Sequence, residues 1–156
     1  MSYLDIIALL PLAYLAVVAT PLIIVDVREH RLPNKLILPF VVLAFITNLV
    51  AGIASGKWGM SLISIGLAMF VLIAGVYLGN KDLLGMGDVK LFVGITLALG
   101  YFSTWYGLAV IGITLVLGTI LALVAYKVFR RTPSIPMGPF AIGLTAVAGG
   151  LVLAGI

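Results

Sequence analysis

The chain has 156 residues, of which 63% are hydrophobic and 9% charged, with a net charge of +4 and a mean hydropathy of +1.33. A soluble domain of this length carries roughly 25% charged residues, so no soluble core could hide this much apolar surface, and the chain reads as an integral membrane protein of one domain, residues 1–156. With no Cys and a single His, disulfides, thiol nucleophiles, thiolate metal sites and sites of several imidazoles are excluded, and the short basic clusters between apolar runs speak for membrane orientation rather than nucleic-acid binding.

A bilayer core takes about 20 residues of helix. On that ruler the first span is predicted over residues 4–25. The preceding Met1-Ser2-Tyr3-Leu4-Asp5 lacks the basic region of a cleaved signal peptide, so this run is read as a permanent span. Asp26 ends it. A carboxylate at a helix C-terminus faces the negative end of the helix dipole and is unfavourable by about 0.3–1 kcal/mol, so Lys or Arg would be the structural choice there. Pro21 removes a backbone donor shortly before, which predicts a bent or loosened helix end. Pro33 marks the entry to the second helix with Asn34 as a cap, and that span is predicted over residues 36–54, the third over 60–79.

A short polar interruption follows, Lys81-Asp82-Leu83-Leu84-Gly85-Met86-Gly87-Asp88-Val89-Lys90. Two glycines stand before an aspartate that opens the next apolar run. Glycine frees the backbone and lets another chain approach closely, so Gly85 and Gly87 are read as leaving room for an extended substrate backbone beside Asp88. Asp88 itself is placed to cap a helix N-terminus, where negative charge is welcome. The apolar run from Val89 to about Phe129 is too long for one helix and splits near Tyr101-Phe102-Ser103-Thr104, giving a short fourth span and a fifth. The sixth runs over residues 137–156, with Pro136, Gly138 and Pro139 shaping its start. The fold class is thus an all-α membrane bundle of six transmembrane helices.

Eight of the nine Lys and Arg residues fall in the first, third and fifth loops, and only Lys57 falls in the second. The positive-inside rule puts the basic loops in the cytoplasm and both termini outside. Asp26 and Asp88 then lie at the same depth, on the cytoplasmic ends of their spans. Acids in or beside a membrane span are expensive and mark function. If the first and fourth helices are neighbours, the two carboxylates face each other across a water and share a proton. The ionised member takes a proton from the water and the protonated member polarises a carbonyl, which is peptide hydrolysis without metal, cofactor or covalent intermediate. A zinc protease would need a His-Glu-x-x-His motif and a serine hydrolase a Gly-x-Ser-x-Gly elbow; His30 serves neither. Lys90, two residues from Asp88, tunes the pair or anchors its helix at the interface.

Gly85-Met86-Gly87-Asp88 followed by Val89-Lys90-Leu91 resembles the Gly-x-Gly-Asp motif of intramembrane aspartyl proteases. Asp26 followed by Pro33-Asn34 resembles the first aspartate motif of the type IV prepilin peptidases, and Pro136-Met137-Gly138-Pro139-Phe140 is similar to the segment that opens their last helix. The resemblance implies a membrane endopeptidase that removes the basic leader of prepilins or pseudopilins after a glycine at the cytoplasmic face of the inner membrane, with Asp26 and Asp88 as the catalytic pair. It implies no cofactor. Larger members carry an added N-terminal region with zinc-binding cysteines associated with methylation, so no zinc site is expected here; the compact form looks most like the peptidases of tight-adherence pilus systems. The competing reading is a small proton- or cation-coupled transporter using the same carboxylates, against which stand their placement at one face and the lack of an inverted repeat.

Overall fold

The structure is a computed structural model that describes residues 2–29, 32–80, 84–106, 108–110, 112–117 and 137–155. All regular structure among them is α-helical. Hydrocarbon offers the backbone no hydrogen-bond partner, so a chain this apolar must satisfy its amides within each segment. The helices are α1 (Tyr3–Glu29), α2 (Asn34–Ala54), α3 (Trp58–Gly79), α4 (Met86–Gly100), α5 (Thr104–Leu117) and α6 (Gly138–Ala154). The first three are long and apolar enough to cross a bilayer, and α5 and α6 are shorter apolar helices. With 15 residues, α4 is about 22 Å long, less than the roughly 30 Å of a hydrocarbon core. The polar and aromatic break at 101–104 is where α4 ends and α5 begins.

Boundaries differ from expectation at three helices. Asn34 is not the cap of α2 but its first residue, after an N-cap at Pro33 with no side-chain capping bond, and α4 begins at Met86, ahead of the apolar run that opens at Val89. The first helix does not stop at Val25 or loosen at Pro21; it continues through both prolines to Glu29 and carries Asp26 inside its last two turns. A missing donor at Pro21 is one lost bond, whereas unwinding there would strand several backbone groups at the membrane edge.

The centre of the bundle is α4. Every residue from Leu91 to Gly100 is buried, the pattern of a helix that is apolar all round and enclosed by others. It packs on α2 and α3, and also meets α1 and α6. Close approach is bought with small residues, as in other membrane bundles: a Cβ at Gly94 would overlap the ring of Phe40 from α2, and one at Gly75 in α3 would stand 2.5 Å from Val89 Cγ1. Polar side chains lock the same three helices together. Asn48 Nδ2 of α2 donates to Ser64 Oγ of α3 at 2.8 Å and to the Leu97 carbonyl of α4 at 2.7 Å, while Ser61 Oγ donates to the Asn48 carbonyl at 2.9 Å. Leu97 is one of the last four residues of its helix, whose carbonyls lack intrahelical partners. Asn48 therefore supplies a donor that the end of α4 requires.

Two polar clusters mark opposite ends of the bundle. At one end Tyr101 OH donates to Asp5 Oδ1 at 3.0 Å, and Lys57 Nζ lies 4.8 Å from the centre of the Tyr101 ring. This joins the start of α1, the turn between α2 and α3 and the end of α4, so the first four helices alternate in direction. Asp26 and Asp88 lie at the other end. Asn48→Ala removes the donor from Ser64 and Leu97, and we expect it to lower stability in detergent by about 1 kcal/mol. An unchanged melting temperature would show that these bonds do not hold α2, α3 and α4 together.

Candidate active site

Asp88 is the third residue of α4 and sits where a helix start can use a carboxylate. Gly85, in extended backbone (φ −69, ψ 137), precedes the first turn, and the Asp88 carboxylate accepts the Gly85 backbone amide. This is half of a capping box, with the third helical residue reaching back to the residue before the helix. Its other oxygen, Oδ1, is buried and has no hydrogen-bond partner among the described residues.

Asp26 arrives from the opposite direction, on α1, and is 3% exposed. Its Oδ2 accepts the backbone amide of Gly138 at 3.0 Å. Gly138 is the first residue of α6, so a carboxylate in the last turn of one helix caps another. The unfavourable dipole of α1 is offset by the positive end of α6. The two carboxylates are close enough for their charges to repel, and both line one cavity of about 340 Å³ together with Leu32, Asn34, Gly85, Met86, Gly87 and Lys90. Lys90 Nζ donates to Asn34 Oδ1 at 2.8 Å, joining α4 to the first residue of α2 across the cavity rim. A larger cavity of about 610 Å³ between α1 and α6 is apolar; its one hydroxyl, Thr145, bonds back to the Ala141 carbonyl and leaves no group for chemistry.

Most residues singled out in the sequence meet here. Asp26, Asp88, Gly85, Gly87, Lys90 and Asn34 share the cavity, and Gly138 touches it through Asp26. Pro33 stands directly before α2 and Pro139 in the first turn of α6, at the edges of the site. Pro136 and Asp82 lie outside the described residues. The space beside Gly87 is held by the chain itself: a Cβ there would lie 2.8 Å from Leu32 Cβ and 3.2 Å from Leu32 N. The space beside Gly85 faces Asp88 Oδ2 at 2.9 Å. Leu32 is the cavity wall that reading the sequence missed, and nothing in its neighbourhood signals the contact.

The fold and cavity define a helical membrane protein that presents two carboxylates from different helices in one polar recess. The chain matches the family model described as the type IV leader peptidase family over residues 13–153 and belongs to that family. It is therefore a membrane peptidase of the prepilin-processing kind. No curated protein and no solved structure matches the chain.

Gly87→Ala places a methyl group against the backbone of Leu32, which cannot move as a flexible side chain would. We expect peptidase activity in membranes to fall by about 10-fold or more, since small displacements of a catalytic group have large effects. Full activity in that variant would mean that the Leu32 segment does not shape the cavity.

Proposed function

We propose that the chain is an aspartic-type endopeptidase that cuts the basic leader from prepilins or pseudopilins after a glycine, at the cytoplasmic face of the inner membrane. The observation that carries this reading is the shared cavity: Asp26 and Asp88, far apart in sequence and on separate helices, line one recess within electrostatic reach of each other. Family membership supplies the reaction class, and the residues supply a chemistry that fits it. One carboxylate accepts a proton from water and the other donates one to the scissile carbonyl oxygen. The new C–O bond forms, the C–N bond breaks, the departing amine takes up the proton that the base had held, and the former carbonyl oxygen returns its proton to the other aspartate.

The remaining site residues serve this step. Gly85 and Gly87 set how closely chain and substrate approach Asp88, while Lys90 and Asn34 form a polar rim that orients the peptide. Pro33, Gly138 and Pro139 fix the helix starts around it. For orientation, we read six spans in one domain with both termini outside. The distribution of Lys and Arg favours this arrangement, and the alternation of the first four helices agrees with it. The lipid bilayer and the substrate's leader and apolar helix are the expected partners.

Single replacement of Asp26 or Asp88 by Asn keeps size and removes the carboxylate. With a co-expressed prepilin, each variant is expected to reduce leader removal by about 10²–10⁴-fold, read as the mass of the purified pilin, while the protein stays in the membrane. Continued cleavage at the normal rate by either variant would remove the two-aspartate mechanism.

A further inference from the structure

The two carboxylates of the cavity are held very differently. Asp88 is anchored within its own helix, by the amide of Gly85, and its Oδ1 is buried with no hydrogen-bond partner among the described residues. Asp26 is anchored from outside its helix, by an amide that belongs to the last helix of the chain. Pro139, the next residue, has no N–H to offer, and the Ala141 amide is bonded to the Met137 carbonyl at 3.1 Å. Gly138 thus supplies one of the few free donors in the first turn of α6, and Asp26 takes it. The residue is buried, and a Cβ at this position would stand 2.6 Å from Asp26 Oδ2 and 3.3 Å from Leu32 Cδ2. Only a residue without a side chain lets the amide approach this carboxylate.

We infer that Gly138 is a positioning residue: its amide holds Asp26 in the one orientation from which the carboxylate meets water and Asp88, making the start of α6 a third component of the catalytic centre. This rests on the two-aspartate reading and extends it. The described titratable groups lining the cavity are Asp26 from α1 and Asp88 and Lys90 from α4. Lys90 donates to Asn34. The backbone of α6 reaches Asp26 Oδ2 through the Gly138 amide at 3.0 Å. The amide has no ionisable proton, so the donor itself does not change with pH. It also couples the entry of the last helix to the geometry of the first.

The test is Gly138→Ala. The atom its methyl group meets most closely is the end of a short side chain, so the carboxylate swings away while the helices keep their packing. Gly138→Pro is the second variant, since it keeps a residue acceptable in the first turn of a helix and removes the donor itself. Gly143→Ala is the control: it makes the same change in the same helix, where an added Cβ meets nothing within 4 Å. Cleavage of a purified prepilin in detergent is expected to show kcat lowered about 100-fold in both Gly138 variants. KM should stay within about 3-fold, the melting temperature should stay near that of the parent, and Gly143→Ala should cleave normally. If Gly138→Ala folds and keeps its kcat, or if only KM changes, the positioning role is wrong. In either case Asp26→Asn and Asp88→Asn, run alongside, report separately on the aspartates. Inactive Asn variants with an active Gly138→Ala would reject the role of α6 alone, and active Asn variants would reject the mechanism on which it rests.

Discussion

The bond between the Gly138 amide and Asp26 resolves a conflict built into the sequence. A carboxylate near the C-terminal end of α1 opposes that helix's dipole and lies at the edge of a low-dielectric medium. On its own the residue would be costly and free to turn away. The start of α6 supplies both a donor at 3.0 Å and the positive end of a second dipole. That contact also fixes where the last helix begins relative to the first. The cavity has its shape because α1 and α6 meet head to tail over one carboxylate, with Leu32 packed into the space that remains.

The opposite carboxylate depends on α4, and α4 depends on being enclosed. Its buried run from Leu91 to Gly100 has no lipid-facing stripe, so its position is set by packing rather than by the bilayer. Asn48 and Ser64 hold its far end through a side-chain network, and Tyr101 ties that end to Asp5 on α1. A helix with its lower end in the cavity and its upper end fastened this way has little freedom to slide. The glycine contacts on α2 and α3 remove the freedom to rotate. Asp88 is thereby presented to the cavity by a core element, while Asp26 is presented by a peripheral one that needs an outside anchor.

Much of this could be read from residue order alone. The long apolar runs gave helices near the expected places, because a bilayer leaves the backbone few alternatives. The break at 101–104 was visible as polar and aromatic residues interrupting an apolar run. Asp88 was recognisable as a helix cap from the glycines before it and the apolar residues after it. The end of α1 was less legible: Pro21 and Asp26 both argue for an early stop, and the helix passes through them to Glu29. What outweighs them is the cost of exposed backbone, which is a property of the solvent and not of any residue. The partners of Asp26 and Gly87 were not legible at all. Gly138 lies 112 positions from Asp26, and Leu32 meets the helical Gly87 from the segment just before α2. Contacts of that kind leave no local pattern, since a glycine needed for close approach looks the same as one needed for a turn.

The two pinned ends also explain how so short a helix can serve a membrane site. From Asp5 to Asp26 the first helix rises about 32 Å, and from Asp88 to Tyr101 the fourth rises about 20 Å. Antiparallel helices of such different rise cannot be fastened at both ends while standing upright side by side. The phenol of Tyr101 reaches across part of the gap to Asp5. At its other end α1 continues through Arg28 to Glu29, leaving the Asp26 carboxylate one turn inside the helix end. The short α4 starts at that same inner level, so Asp88 stands beside a recess rather than on the bundle's rim. The recess thus lies between the last turn of α1 and the first turn of α4, with Asp26 on one side and Asp88 on the other.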